Sequence, residues 1–366
     1  MNAPFRVRFL DPDFLTDRKW GRRITELIEN HFHLQKYRCF EVTLEKSNFP
    51  IIFLVLLIAV SVLAACGGHT PEAEHIPILE DGKLKVVATT TIVGDVVSQI
   101  GGELIDLNVL LPVGIDPHSF DPTPQDIALI SDADIVFANG AGLEEFLMTL
   151  IESAGAQDRV IYLSEQIELI DFSAESEDQE AKHENENHLQ ETGDPHTWTD
   201  PNNVILWANA IADQLSRLDS SNANAYSANA DTYIADLHEL DAWIRQQMTQ
   251  VPERNRQIVT DHLIFGYFAS EYGFEQVGAI IPGYSTLAEP SAQELAAMED
   301  AINTLSVQAI FVGNTVNPTL AQRVAEDTGT QLIFVYTGSL SEPQGKAATY
   351  IDYSRYNTNA FVEALK

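Results

Sequence analysis

Three histidines in this sequence stand next to acidic residues, and together they could bind a transition metal. They occur in three short motifs: Asp116-Pro117-His118, Asp194-Pro195-His196 and Asp261-His262. A neutral imidazole is the commonest protein ligand for borderline metals, and a neighbouring carboxylate can orient the ring or add an oxygen ligand. One such histidine alone is more often a structural or surface residue. From the spacing of the three histidines alone, a shared metal site and three separate structural roles are about equally good interpretations.

The elements around these histidines place them where ligand sites form. His118 lies in a loop after the predicted strand 107–111, and the prolines on either side restrict the backbone of that loop. His262 directly follows the predicted strand 257–260. Open α/β sheets bind ligands at the carboxyl ends of their strands, so both positions favour a binding site.

The hydrophobic pattern predicts an α/β protein with two lobes. Short β-branched runs alternate with helical segments, which is typical of mostly parallel sheets covered by helices on both faces. Residues 221–251 contain no glycine or proline and predict one long, rigid helix between the lobes. We therefore expect a first lobe at 83–220, a linking helix at 221–251 and a second lobe at 252–366.

The N-terminal part of the sequence predicts a leader and a lipid anchor. The apolar run 51–65 is too short for a typical membrane-spanning helix and favours a secretory signal, with an uncleaved short anchor as the alternative. Leu63-Ala64-Ala65-Cys66 resembles a bacterial lipobox, which implies that Cys66 is lipidated. Residues 1–65 are thus a predicted leader, with a start site assigned too far upstream, and 66–82 a flexible tether. The remainder is expected in the cell envelope, outside the cytoplasm.

Composition narrows the classes of function and of metal ligand. The chain has 366 residues, 45% of them hydrophobic, which is enough for two domains with substantial cores. A formal net charge of −33 argues against a nucleic-acid partner, because phosphate recognition needs clustered basic side chains. The two cysteines are Cys39 and Cys66, so the sequence after Cys66 offers only nitrogen and oxygen ligands.

Five motifs in order resemble the periplasmic zinc/manganese-binding family, the solute-binding lipoproteins of metal ABC importers. They are Pro117-His-Ser-Phe-Asp-Pro-Thr-Pro124, Asp194-Pro-His-Thr-Trp198, Asp261-His262 with Gly266-Tyr-Phe268, Tyr284-Ser-Thr-Leu-Ala-Glu-Pro-Ser291 and Tyr336-Thr-Gly-Ser-Leu-Ser-Glu342. The resemblance covers residues 83–366. It implies two α/β lobes bridged by one long helix, with a metal ion in the cleft between them. It also implies a non-enzymatic, monomeric carrier that delivers its metal to an importer permease.

The resemblance assigns metal-ligand roles to His118 and His196 in the first lobe and to His262 in the second. Manganese-type members have a carboxylate at the third position, so His262 resembles the zinc type. Three imidazoles also suit Zn²⁺, whereas Mn²⁺ prefers more oxygen ligands. We therefore expect Zn²⁺ as the cargo, with Mn²⁺ or iron as the alternative. Many members have an aspartate where this chain has Gly338, which leaves the fourth ligand to water or to a carboxylate elsewhere.

A polar segment at 173–193 interrupts the α/β pattern. It is rich in glutamate and contains His183 and His188. Zinc-type members of the family carry a histidine-rich insertion here, so these two histidines are candidates for accessory metal collection. A plain solvated loop is an equally good interpretation.

Two other functions compete with metal transport as interpretations of the sequence. Three histidines and a water also form the geometry of a catalytic zinc site, but the sequence lacks an H-E-x-x-H motif and a well-supported general base. A surface adhesin is compatible with a lipid-anchored protein, although no segment of the sequence specifies a receptor.

Overall fold

The computed structural model describes residues 82–170 and 193–366. The first lobe contains, in order, β1 (Leu84–Ala88), α1 (Thr91–Gly101), β2 (Ile105–Val109), α2 (Pro124–Asp132), β3 (Ile135–Ala138), α3 (Leu147–Ala154), β4 (Val160–Tyr162) and α4 (Pro201–Leu218). A long helix, α5 (Ala223–Met248), follows. The second lobe contains β5 (Gln257–Thr260), α6 (Gly266–Tyr272), β6 (Glu275–Ala279), α7 (Ala292–Leu305), β7 (Ala309–Gly313), α8 (Thr319–Thr328), β8 (Gln331–Val335) and α9 (Tyr350–Leu365).

Each lobe is built on a four-stranded sheet with the same strand order. The orders are β2-β1-β3-β4 and β6-β5-β7-β8, and every described strand pair is parallel. The inner strands β3 and β7 are buried along their whole length, as expected for parallel strands covered on both faces. The predicted fold class, two parallel α/β lobes, is confirmed.

Three groups of buried side chains form the core of the described residues. One group lies on the outer side of the first sheet and includes Val136 and Leu150, and a second lies on the outer side of the second sheet and includes Ile310 and Val324. The third group runs through both lobes and contains side chains from β1, α1, α4, α5, β5 and α9. The lobes therefore share a continuous apolar core on the side of the long helix.

The long helix spans about 39 Å at 1.5 Å per residue. Its buried side chains recur every three or four residues, which gives the helix one apolar face. That face packs against α4, α1 and α9. The helix α5 thus lies within the predicted segment 221–251, and it begins and ends slightly inside these bounds.

The first strand of the first lobe ends earlier than the sequence pattern predicts. The β-branched run 85–92 predicts a strand, but β1 ends at Ala88 and α1 begins at Thr91. The side chain of Thr90 accepts a hydrogen bond from the backbone N–H of Val93 (3.2 Å) and caps the helix. The capping hydroxyl outweighs the strand preference of β-branched residues at this point.

Across the two described ranges, no helix combines the length and the apolar character needed to span a membrane.

Candidate metal centre

The three predicted histidines meet between the lobes, although they are far apart in sequence. The Nε2 atom of His196 lies 3.2 Å from Nε2 of His118 and 3.3 Å from Nε2 of His262. The three candidate ligand atoms all lie within 4.8 Å of one another, and all three residues are buried. Ligand nitrogens of a tetrahedral zinc ion, about 2.0–2.1 Å from the metal, are separated by about 3.3 Å. The observed separations therefore match the edges of such a site.

Each histidine is delivered by a different part of the fold. His118 lies in the loop between β2 and α2, and His196 lies in the loop that leads into α4. His262 follows β5, an inner strand of the second sheet. The first two histidines thus come from one lobe and the third from the other, so an ion bound by all three would join the lobes.

Carboxylates hold two of the imidazoles in the orientation that ligation requires. Nδ1–H of His196 donates to Oδ1 of Asp194 (2.7 Å), and Nδ1–H of His262 donates to Oδ1 of Asp261. The same two oxygens accept the backbone N–H groups of their histidines. With the proton on Nδ1, the lone pair of Nε2 is free to bind a metal.

The aspartate beside His118 acts differently from the other two. The Oδ1 atom of Asp116 accepts the backbone N–H of His118 (3.1 Å) and fixes the main chain rather than the ring. Its Oδ2 atom accepts hydroxyl hydrogen bonds from Ser119 and from Thr286 of the second lobe. The expectation that neighbouring acids orient the rings is therefore confirmed for His196 and His262 but not for His118.

Burial keeps the imidazoles of His118 and His196 in their neutral, metal-binding form. It lowers the pKa of His118 to about 4, with the nearby His262 as a second cause, and holds the pKa of His196 well below its usual range. Burial also raises the pKa of the Asp194 carboxyl well above its usual range. Within the described residues, Asp194 and Asp261 are each hydrogen-bonded to the neighbouring imidazole, which carries no positive charge when it is neutral. A cation at the three Nε2 atoms would compensate these buried carboxylates.

Gly338, where many members of the family have an aspartate, offers only backbone to the site. Gly338 lines the site together with Pro117 and Thr315. A Cβ atom added at Gly338 would lie 2.8 Å from Cδ of Pro117, closer than real Cβ atoms approach their neighbours. A side chain at this position would therefore displace the proline that precedes His118. Among the described residues that line the site, Asp116 is the one acidic residue.

Several residues that support the His196 loop could not be identified from the sequence. The side-chain amide of Asn139 donates to the carbonyl of Pro195 (2.9 Å), and Ser164 is hydrogen-bonded to Thr197 (2.8 Å). These contacts bring together residues from distant elements, and no local pattern marks them. Trp198 is buried beside His196, with the two ring centroids 5.2 Å apart.

The other predicted functional residues lie outside the described residues. They are Cys66, His183 and His188. Their roles stay predictions.

Two parallel α/β lobes with a buried three-histidine cluster between them define a two-lobed binding protein. Residues 86–364 match the family described as zinc-uptake complex component A, periplasmic, and the chain belongs to this family.

Relatives and solved structures agree with this assignment. The chain is 35% identical over 317 residues to the manganese-binding lipoprotein MntA of Halalkalibacterium halodurans, a match that covers 86% of this chain and 97% of the relative. It is 30% identical over 318 residues to the manganese ABC transporter substrate-binding lipoprotein PsaA of Streptococcus mitis, covering 85% and 97%. The structure resembles the periplasmic zinc-binding protein TroA of Treponema pallidum with a TM-score of 0.66 at 25% identity, covering 78% of this chain and 99% of TroA.

Proposed function

We propose that this protein captures Zn²⁺ outside the cytoplasm and delivers it to the membrane permease of an ABC-type importer. The observation that carries the proposal is the cluster of three buried imidazoles with Nε2 separations of 3.2 and 3.3 Å. His118, His196 and His262 are the proposed ligands. Because they come from both lobes, the bound ion stabilises the closed arrangement that the permease would recognise.

The chemistry of the donor atoms supports zinc. Three imidazole nitrogens suit a borderline ion in a tetrahedral site, whereas Mn²⁺ prefers a larger share of oxygen ligands. Gly338 contributes no side-chain oxygen to the site. The carboxylate of Asp116 is already engaged by the backbone of His118 and by two hydroxyl groups. The fourth ligand in this proposal is a water molecule.

Manganese is the second candidate cargo. Relatives at 30–35% identity are named as manganese-binding or manganese-transporter lipoproteins. Asp116 lines the site and would supply an oxygen ligand if it released its present hydrogen bonds. The relative from Streptococcus mitis is named as a substrate-binding lipoprotein of an ABC transporter, which supports binding and transport rather than hydrolysis.

The proposed site is tested by counting metal ions per chain. The full-length protein, purified in detergent and loaded with Zn²⁺, should retain one equivalent after desalting, as measured by elemental analysis. Alanine at His118, His196 or His262 should each lower that occupancy and weaken zinc binding, because two nitrogens remain. The matched control is His238→Ala, since His238 is exposed on α5. Full affinity in any one of the three variants would remove that residue from the site.

We further propose that the chain is anchored to the membrane by a lipid on Cys66, at the start of the tether 66–82. The described lobes and the helix α5 would then act as a monomeric carrier held close to the permease. A Cys66→Ser variant should no longer incorporate a labelled fatty acid in cells. Incorporation equal to that of the unmodified sequence would contradict the proposed anchor.

A further inference from the structure

One loop of the second lobe runs past all three histidines. This covering segment, residues 283–286, lies between β6 and α7. The carbonyl of Gly283 accepts the backbone N–H of Leu263 (2.9 Å), next to His262. The ring of Tyr284 lies 6.4 Å from that of His196. The hydroxyl of Thr286 then donates to the carboxylate of Asp116, two residues before His118.

The contact between Thr286 and Asp116 connects a ligand loop of one lobe to the other lobe. Asp116 holds the backbone N–H of His118 through Oδ1 and accepts the hydroxyl groups of Ser119 and Thr286 through Oδ2. Ser119 belongs to the same loop as Asp116, so its hydrogen bond does not cross the cleft. The bond from Thr286 does cross it, and it ends on the carboxylate that fixes the His118 backbone.

The lobes are joined differently on the side of the shared core. There, the backbone N–H of Tyr350 donates to the carboxylate of Asp95 (2.8 Å). A separate hydrogen bond, from the backbone N–H of Gly114 to the hydroxyl of Ser339 (2.8 Å), joins the beginning of the His118 loop to the second lobe. Tyr350 belongs to the apolar core that runs through both lobes, so separating the lobes here would expose apolar surface. Thr286 is only partly buried, and the next residue, Leu287, is 56% exposed. The Thr286 contact can therefore open while the shared core stays closed.

We propose that Thr286 is a positioning residue that controls how slowly the bound metal leaves the site. Its hydroxyl holds Asp116, and through it the His118 loop, against the second lobe. When this bond breaks, His118 can move away from the two ligands that remain. The inference rests on the proposed metal-binding function and adds to it a residue that sets metal retention without touching the metal.

The test compares metal release from two threonine variants. Full-length protein loaded with Zn²⁺ is mixed with excess chromogenic chelator in a stopped-flow instrument, and the release rate is recorded. Thr286→Val keeps the shape of the side chain but removes the donor, and it should release zinc about tenfold faster, because a hydrogen bond to a carboxylate is lost. Thr286→Ser restores the donor and should return the release rate to within about threefold of wild type. The rate of zinc association should change less than about twofold in both variants, because zinc is captured before the lobes close.

Ser119→Ala is the matched control, because it tests whether the lost hydrogen bond to Asp116 must be one that crosses the cleft. It removes a hydrogen bond to the same oxygen of Asp116, but from within the first lobe. We expect it to change the release rate less than Thr286→Val does. Equal acceleration in the two variants would overturn the proposal, because the effect would then come from Asp116 losing any donor.

Two further outcomes separate this inference from the proposed function. Unchanged release in Thr286→Val, with wild type still retaining one zinc through the three histidines, would contradict the role of Thr286 alone. Failure of wild type to bind zinc or manganese would contradict the proposed function itself. The melting temperatures of metal-free Thr286→Val and Thr286→Ala are measured as well. If both fall in parallel with faster zinc release, Thr286 has a general structural role and the proposal is overturned.

Discussion

The three imidazoles of the site are held in different ways, and the difference has consequences at the scale of single residues. Asp194 and Asp261 bind the rings of their histidines, whereas Asp116 binds only the backbone of His118. Asp261 is engaged on both oxygens, because Oδ2 also accepts the backbone N–H of Gly313 at the end of β7. Its carboxylate thus links the His262 ring to an inner strand of the second sheet.

Replacing Asp261 by asparagine should weaken zinc binding by about 10- to 100-fold. The amide is a poorer acceptor for Nδ1–H of His262 and lowers the basicity of the metal-binding nitrogen. Affinity is measured by competition with a chelator of known strength. Asp300→Asn, which changes an exposed carboxylate on α7, serves as the control and should match wild type. Wild-type affinity in Asp261→Asn would show that the carboxylate does not support the ligand.

The lowered pKa of His118 predicts a pH dependence of stability. Its pKa is about 4 in the folded protein and about 6.5 in an unfolded chain, so the unfolded state binds more protons between these values. The contribution of the neutral His118 side chain to the free energy of unfolding is therefore fully present above pH 6.5 and is lost as the pH falls toward 4. Metal-free His118→Asn should therefore lose less unfolding free energy than wild type between pH 6.5 and 4.5, by on the order of 2 kcal/mol.

Denaturant titrations at a series of pH values measure this difference. The comparison with a variant is needed because other buried groups titrate in the opposite sense, such as Asp200, whose pKa burial raises to about 6. His238→Asn, on the exposed face of α5, should follow wild type throughout. Parallel curves for wild type and His118→Asn would mean that the imidazole is not held neutral by the fold.

The three histidines that meet between the lobes could be singled out from the sequence, but most of the contacts that support them could not. Each histidine lies next to an aspartate, and this arrangement is visible in the sequence without knowledge of the fold. Asn139 reaches Pro195 and Thr286 reaches Asp116 only because distant loops meet in three dimensions. No periodicity or motif connects such pairs. The steric reason for glycine at 338 is likewise visible only once Pro117 lies against it.

At the scale of secondary-structure elements, the long helix α5 joins the two lobes through its buried face. Leu237 lies at the middle of that face and is fully buried within the core that runs through both lobes. The extent of the helix was predictable because glycine and proline are absent from 221–251. Its partners α4, α1 and α9 were not predictable, because each is set by tertiary packing.

Leu237→Ala should lower the free energy of unfolding by about 2–5 kcal/mol, because it leaves a cavity in the shared core. Guanidinium titration followed by circular dichroism measures the change. His238→Ala alters the adjacent, exposed position of the same helix and should stay within about 0.5 kcal/mol of wild type. A Leu237→Ala variant as stable as wild type would show that the helix is not a structural link between the lobes.

At the scale of the whole molecule, charge and architecture both suit a carrier of cations. The formal net charge of −33 attracts cations in general without selecting one of them. In the proposed function, selection depends instead on the three nitrogens between the lobes. The alternation of strands and helices was enough to predict two parallel α/β lobes. The sequence did not indicate that the lobes share one core on the side of the long helix, or that Thr286 of the second lobe contacts the His118 loop.

The most direct test of the central claim is a competition between zinc and manganese for the three-histidine site. Full-length, metal-free protein in detergent receives one equivalent of Zn²⁺ and a large excess of Mn²⁺, and the bound metals are quantified by elemental analysis after desalting. We predict one zinc per chain and no retained manganese in wild type, with loss of the zinc in His262→Ala. Stoichiometric manganese in wild type would contradict a nitrogen-based zinc site and would mean that an oxygen ligand, with Asp116 the nearest candidate, completes the coordination.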